Sequence, residues 1–355
     1  MKIFMLMRFL NFSGASKMFL WVANTLSSAG HDVTVYVFSN NVTHKPETGI
    51  SFINENLANK GIIGKIHSVR NIIKKVDADV SISFLLDANV YNTFACLGLK
   101  TKSVICERND PFKPHYYKLK FWKPFFRFAD GGVFQLKKVA EYYSNIKGKT
   151  AVIPNPAVIT SKVVLRPFEE REKNIVTLGR IAIEQKRNDL QIKAFALFHK
   201  KHPDYKLIIY GRSINGDDLK LQELIKEEGL TESVCMPGVI DNVQETIKNS
   251  QIYLLTSDYE GIPNTLMEAM AIGLPCISTD CRPGGASLLI KNEYNGLLVP
   301  CGDSNQMADK LCWLAEHPHE ADCMGRNAKN IVKDLSGEKI KSLWIKFLKD
   351  LCQSE

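Results

Sequence analysis

At 355 residues, 45% hydrophobic and 24% charged, the chain is too long for one ordinary α/β domain and has the make-up of a soluble globular protein with two cores. No apolar run reaches the roughly 18 residues that a membrane-spanning helix needs. The 46 Lys and Arg against 38 Asp and Glu leave an excess of 8 positive charges, which favours an anionic partner without naming it.

The first ten residues carry Lys2 and Arg8 inside an apolar run and lack a small-residue cleavage site, so they read as a first strand and not as a signal peptide. Nine cysteines, an odd number without metal-ligand spacing, are expected to be free thiols in a reducing cytoplasm. After strand Lys2–Met7, the residues Ala15, Met18, Phe19, Val22, Ala23 and Leu26 recur at helical spacing, and Gly30 ends that helix. Strands are expected at His31–Phe38, Asp79–Phe84, Lys102–Cys106, Gly131–Phe134 and Thr150–Ile153. The polar, charged segment 161–173 reads as a linker. A second series of strands follows at Asn174–Leu178, Lys206–Tyr210, Ser233–Met236, Gln251–Leu255, Pro275–Ser278 and Gly296–Val299. Ile340, Leu343, Trp344, Phe347, Leu348 and Leu351 mark a last amphipathic helix. The expected architecture is α/β, with two Rossmann-like doubly wound domains at 1–160 and 174–333 and a cleft between them. A helix over 334–355 has the option of packing back on the first domain.

The most informative stretch is Asp258 to Gly285. Glu260 and Gly261 lie in a loop after a strand, and Pro263 and Asn264 open a helix whose free N–H groups suit a diphosphate. Glu268, one turn inside, offers two carboxylate oxygens to the hydroxyls of a ribose, while Glu260 lies where a hexose would sit. Two glutamates eight apart also arise by chance. A second piece is Gly179-Arg180 followed by Lys186, where Gly179 allows a tight strand exit. Arg180 can clamp a phosphate bidentately and Lys186 adds a point charge. The bland alternative is a solvated basic loop. Both pieces fall in one expected domain, in an order that lets them converge on one ligand.

These residues resemble the Glu-x7-Glu signature and the phosphate-binding Arg and Lys of the retaining, GT-B-fold family-4 glycosyltransferases. The similarity runs over most of the chain and is most specific between Thr177 and Pro300. It implies transfer from a nucleotide-activated sugar with the anomeric configuration retained and with no metal or other cofactor. By this resemblance Arg180 and Lys186 hold the diphosphate, the backbone of Ile262, Pro263, Asn264, Thr265 and Leu266 assists, Glu268 holds the ribose and Glu260 contacts the sugar. Glu260, Arg180 and Lys186 are the implied catalytic set, with Gly14, Gly179 and Gly261 as further donor contacts.

On the acceptor side, Ser13-Gly14-Ala15-Ser16-Lys17 stands where the family usually has Gly-Gly followed by Ala-Glu-Arg. Ser13, Ser16 and Lys17 are acceptor-side candidates, although the usual acid is missing. Arg108, flanked by Glu107 and Asn109, occupies the place of a histidine found in many relatives. Either Arg108 binds an anionic acceptor group such as a lipid diphosphate, or a Glu–Arg pair braces the loop. Between Pro111 and Ala129 stand five basic residues, no acidic ones and eight aromatics. Lys118, Lys120, Phe121, Trp122, Lys123, Phe125, Phe126 and Arg127 are the candidates for docking on an anionic membrane surface. The alternatives are a core-packed helix with a solvated basic face, or stacking on single-stranded RNA, for which no motif is present. Asp77-Ala78-Asp79 is read as a solvated loop, His31 as a surface turn residue, and His317 and His319, which flank Pro318, as a helix junction; no metal site is expected.

The expected activity is transfer of a hexose or N-acetylhexosamine, from a UDP-sugar by preference, to a lipid-linked or growing bacterial surface glycan. Its expected place is the cytoplasmic face of the cell membrane, with no nucleic acid as partner. The alternatives are a sugar-nucleotide epimerase of the same fold and a non-catalytic binding module.

Overall fold

The computed structural model of the chain describes residues 1–11, 13–113, 116–159, 163–213 and 215–353. The strands, in chain order, are β1 (Lys2–Met7), β2 (Asp32–Val37), β3 (Ser51–Asn54), β4 (Val80–Phe84), β5 (Lys102–Glu107), β6 (Gly131–Phe134) and β7 (Lys149–Val152), then β8 (Glu172–Leu178), β9 (Lys206–Tyr210), β10 (Val234–Gly238), β11 (Ser250–Leu255), β12 (Cys276–Thr279) and β13 (Leu297–Val299). Among the described residues they form two sheets, ordered β3-β2-β1-β4-β5-β6-β7 and β10-β9-β8-β11-β12-β13. Each recorded strand pair is parallel. Strands covered by helices on both faces need near-continuous apolar sequence, which Ile3 to Met7 supplies: all five are fully buried.

The chain divides into two compact units, Met1–Asn155 together with the segment from Gly337 onward, and Pro156–Ser336. In the first unit, helix Leu86–Cys96 is tied to β4 by polar side chains inside the core. Ser83 donates to Asn89 at 2.8 Å, and Asn92 donates to the Ser81 carbonyl at 2.9 Å. The closing helix, Gly337–Gln353, buries Ile340, Trp344, Phe347, Leu348 and Leu351. A Cβ on Gly131 would sit 3.1 Å from the Phe347 ring and 3.2 Å from Leu351, so the bare glycine in β6 makes room for this helix. Leu343, expected in the same stripe, is exposed instead.

The segment read as a linker is a packed edge of the second unit where it is described; residues 160–162 lie outside the described residues. Phe168 is buried, its N–H donates to Asp322 at 3.0 Å, and the Arg171 guanidinium meets the same carboxylate at 2.6 Å. Polar composition was a poor guide because these charges are spent on one another.

In each sheet the strand order reverses once, between β1 and β4 and between β8 and β11. Beyond the carboxyl ends of strands at such a reversal, adjacent loops run to opposite faces and leave room for a ligand. The donor-side candidates follow β8 and β11, which flank the second reversal; Ser13 to Lys17 follow β1, which flanks the first, and Glu107 to Asn109 lie at the end of β5, one strand beyond it.

Candidate active site

In the second unit, the exits of β8 and β9 are held together by glycines. Gly211 has φ +150°, and a Cβ there would come within 1.6 Å of the Gly179 carbonyl oxygen, so no side chain fits. The Gly179 N–H donates to Tyr210 O at 3.0 Å and the Ile181 N–H to Arg212 O at 2.9 Å, which fixes the turn carrying Arg180. Arg180 donates to the Gln185 side-chain oxygen at 2.8 Å. Gln185 in turn donates to Tyr259 O at 3.2 Å and accepts the Asp258 N–H on its backbone at 2.9 Å. One glutamine thus ties the loop after β8 to the loop after β11.

Lys186 ends the short helix Ile183–Lys186, with its amine beside Gly179, about where the missing side chain would leave it 3.5 Å from a Cβ. Its Nζ meets Glu260 Oε1 at 2.5 Å, and both side chains are nearly nine-tenths buried. Ser257 donates to the same carboxylate oxygen at 2.8 Å. The Glu260 N–H donates to Arg282 O at 2.8 Å, and a Cβ on Gly285 would lie 1.6 Å from the Gly261 carbonyl oxygen. The loop is therefore pressed between β11 and the segment after β12. Helix Asn264–Ile272 starts directly after it, with Pro263 as the preceding residue. Tyr253, fully buried in β11, donates its phenol to Thr265 Oγ1 at 2.8 Å. Burial raises the Tyr253 pKa well above its usual value, and the charges of Glu260 and Glu268 push in the same direction.

The arrangement brings Gly179, Lys186 and Glu260 into one partly buried, charged cluster, with Arg180 joined to it through Gln185. Ile262 and Leu266 are buried, so only their backbone can serve a ligand, whereas Gly261, Asn264, Thr265 and Glu268 keep partial exposure. Sequence reading missed Gln185, Ser257 and Gly285. It also missed the brace in which Arg187 donates to Asp258 and Asp189 at 3.1 and 3.0 Å, pairs that raise its pKa. The links of Gln185 to Tyr259 and of Arg187 to Asp258 span more than 70 positions, so local spacing does not announce them.

In the first unit, Ser13 caps helix Gly14–Ser28 by accepting the Ser16 N–H at 3.3 Å. Ser16 is 1% exposed, and its hydroxyl is shared with Ser13 and Asn11. This corrects its reading as an acceptor contact: it braces the turn. Gly14 and Lys17 are exposed. Glu107 is also a brace, 1% exposed, its carboxylate accepting the N–H groups of Arg108 at 2.9 Å and Asn109 at 3.0 Å. The Glu–Arg side-chain pair, one of the two alternatives for this loop, is not among the ion pairs of the described residues; the Glu107 carboxylate is taken by backbone donors one and two residues on. Burial raises the Glu107 pKa to about 6 against these hydrogen bonds.

The basic and aromatic stretch folds as helix Tyr117–Trp122 and the 3-10 turn Lys123–Phe128. Phe126 is 1% exposed and packs on Tyr143, so it is removed from the docking candidates. Lys118 is engaged by Asp87, which also holds Arg8 at 3.0 Å, and Lys123 lies 3.9 Å above the Tyr142 ring. Tyr117, Phe121, Phe125 and Phe128 remain exposed, with Trp122 half-covered against Phe94. Among the described residues, no helix is long and apolar enough to cross a membrane.

Residues 164–331 match the family described as glycosyl transferases group 1. Over 369 aligned positions, 99% of both chains, the protein is 27% identical to a Campylobacter jejuni enzyme named as an α-1,4-N-acetyl-D-galactosaminyltransferase acting on a diphospho-undecaprenol-linked GalNAc glycan. It is 31% identical over 255 residues to an uncharacterized glycosyltransferase of Methanocaldococcus jannaschii, covering 64% of this chain and 62% of that one. The fold is similar to that of Anabaena HepE in complex with UDP, with a TM-score of 0.82, 18% identity and coverage of 99% and 100% of the two chains.

Proposed function

We propose that this chain, a glycosyltransferase with two Rossmann-like domains of GT-B type, transfers a hexose or N-acetylhexosamine with retention from a nucleotide sugar to a lipid-linked or growing bacterial surface glycan. The observation that carries the reading is the Lys186–Glu260 pair beside Gly179, at the strand-order reversal of the second sheet and next to the start of helix Asn264–Ile272. A diphosphate needs cations and amides, and a sugar needs an acceptor of hydroxyl hydrogen bonds; this cluster supplies both. The undecaprenol-linked substrate in the Campylobacter enzyme's name and the UDP held by HepE support the acceptor and donor classes.

In this reading the diphosphate takes Lys186 and Arg180, which frees Glu260 for the sugar hydroxyls, while Glu268 receives the ribose. The bond from the anomeric carbon to the phosphate oxygen breaks as a bond to the acceptor oxygen forms on the same face. The acceptor's proton passes to the departing phosphate. No carboxylate nucleophile and no metal are needed for transfer, so the protein's part is positioning and the stabilisation of negative charge on the leaving group. The exposed rings of Tyr117, Phe121, Phe125 and Phe128, with Lys120 and Arg127 beside them, suit docking at the cytoplasmic face of a membrane.

The test is incubation of the protein with radiolabelled sugar nucleotide and membrane lipid extract. Label should enter the organic phase, and Lys186→Ala and Glu260→Ala should each abolish this without loss of fold. Label changing only within the nucleotide fraction would indicate an epimerase, and unchanged transfer in both variants would remove the proposed site.

A further inference from the structure

The loop after β5 holds a buried cation that makes no ion pair among the described residues. Arg108 is 8% exposed. Its guanidinium lies 4.7 Å from the centre of the Phe84 ring, Nη1 donates to Asn155 Oδ1 at 3.3 Å, and Nε is buried without a partner. Cys106 and Glu107 favour its charge, yet Cys106 is a thiol and the Glu107 carboxylate is spent on two backbone N–H groups and on the Tyr143 hydroxyl at 3.4 Å. Among the described residues no carboxylate makes an ion pair with Arg108. Guanidinium groups stay protonated, so burial without a direct ion-pair partner costs the ligand-free protein stability. Such a cost persists where a ligand relieves it.

Position supports the same conclusion. Arg108 follows the carboxyl end of β5, and the neighbouring strand β4 is followed by Leu85, whose φ of +72° and ψ of 158° belong to a region that side-chain-bearing residues rarely enter. Strained backbone beside a frustrated charge, at the edge where α/β sheets take their ligands, marks a binding position.

We propose that Arg108 determines acceptor specificity by taking an anionic group, a phosphate or a carboxylate, that the acceptor glycan carries. This rests on the glycosyltransferase reading and adds a second anion to it, since the donor's diphosphate is assigned to the other unit. The planar fork, with Nε on its inner edge, is suited to two oxygens of one anion.

The test uses the full chain with UDP at saturation, so that the donor site is filled, and compares wild type with Arg108→Met and Arg108→Lys. Methyl phosphate, glucuronate and neutral glucose are the probes, read by calorimetry and thermal melting. One of the two anions should bind saturably and glucose should not; the anion that wins separates a phosphate-bearing from a uronate-bearing acceptor. Arg108→Met should lower that affinity at least tenfold, Arg108→Lys should retain part of it, and UDP affinity should stay unchanged. Without ligand, Arg108→Met should melt at the same temperature as wild type or higher, which a bracing residue would not allow. Equal anion binding in wild type and Arg108→Met overturns the proposal, as does a lower melting point of Arg108→Met with loss of UDP binding. If wild type fails to bind any nucleotide, the donor reading fails instead, and the melting comparison still decides whether Arg108 is frustrated.

Discussion

Glu107 shows how a buried carboxyl becomes a pH-dependent element of stability. Its pKa of about 6 in the folded chain, against 4.5 for an unperturbed group, means that the folded state holds the proton more tightly than the unfolded one. The stability it contributes is complete below about pH 4.5 and is lost as pH rises through about 6, a change of roughly 2 kcal/mol. Glu107→Gln removes the titration, so its melting temperature relative to wild type should climb between pH 5 and pH 7.5. A difference that stays flat across that range would show that burial does not set this pKa. Individual residues of the donor site were legible because motif spacing singles out Arg180, Lys186, Glu260 and Glu268. The partners were not. Lys186 and Glu260 lie 74 positions apart, and their contact is made by the β8–β11 neighbourhood, whereas the Ser257 bond to the same oxygen, only three residues away, depends on the shape of the loop after β11. Ser16 and Glu107, named as acceptor-side candidates, have polar side chains engaged by nearby groups of their own turns, which spacing alone does not reveal.

Among the elements, the loop Tyr259–Ile262 depends on what packs behind it. Its Gly261 carbonyl touches Gly285, which opens the short helix Gly285–Leu289. A methyl group at Gly285 has no room, so Gly285→Ala must push the loop away from the Arg282 carbonyl that holds the Glu260 N–H. We expect destabilisation of about 1–3 kcal/mol and at least a tenfold loss of nucleotide affinity, with secondary structure unchanged by circular dichroism. Wild-type affinity in this variant would mean that the loop adapts freely. Most strands were legible from their β-branched runs, but β3 was missed. It has four residues, none of them buried, and so no apolar pattern. Helix Leu86–Cys96 was missed because it is buried on most sides, including Asn89 and Asn92, and shows no polar stripe to contrast with an apolar one.

For the molecule as a whole, the alternation of strand and helix made the two parallel sheets readable before any coordinates, and the order of the strands within each sheet was not readable. The net charge of +8 belongs to the same scale. Binding to vesicles of anionic phospholipid should be reversible and should weaken with added salt, because each cation near such a surface contributes about 1 kcal/mol and is screened within about 10 Å at 0.1 M salt. Phe121→Ser combined with Phe125→Ser should reduce cosedimentation several-fold, since these rings are exposed and replaceable without disturbing the buried Leu119 and Phe126. Cosedimentation that is equal for the double variant and wild type would assign the rings to another purpose.

The closing helix has a consequence for biogenesis. Trp344, Phe347, Leu348 and Leu351 fill the core of the first unit, yet they are translated after every residue of the second. On the ribosome, the half that begins first is therefore the half that finishes last. Its apolar face stays uncovered while the intervening sheet is already whole, and that interval is when a chaperone has something to hold.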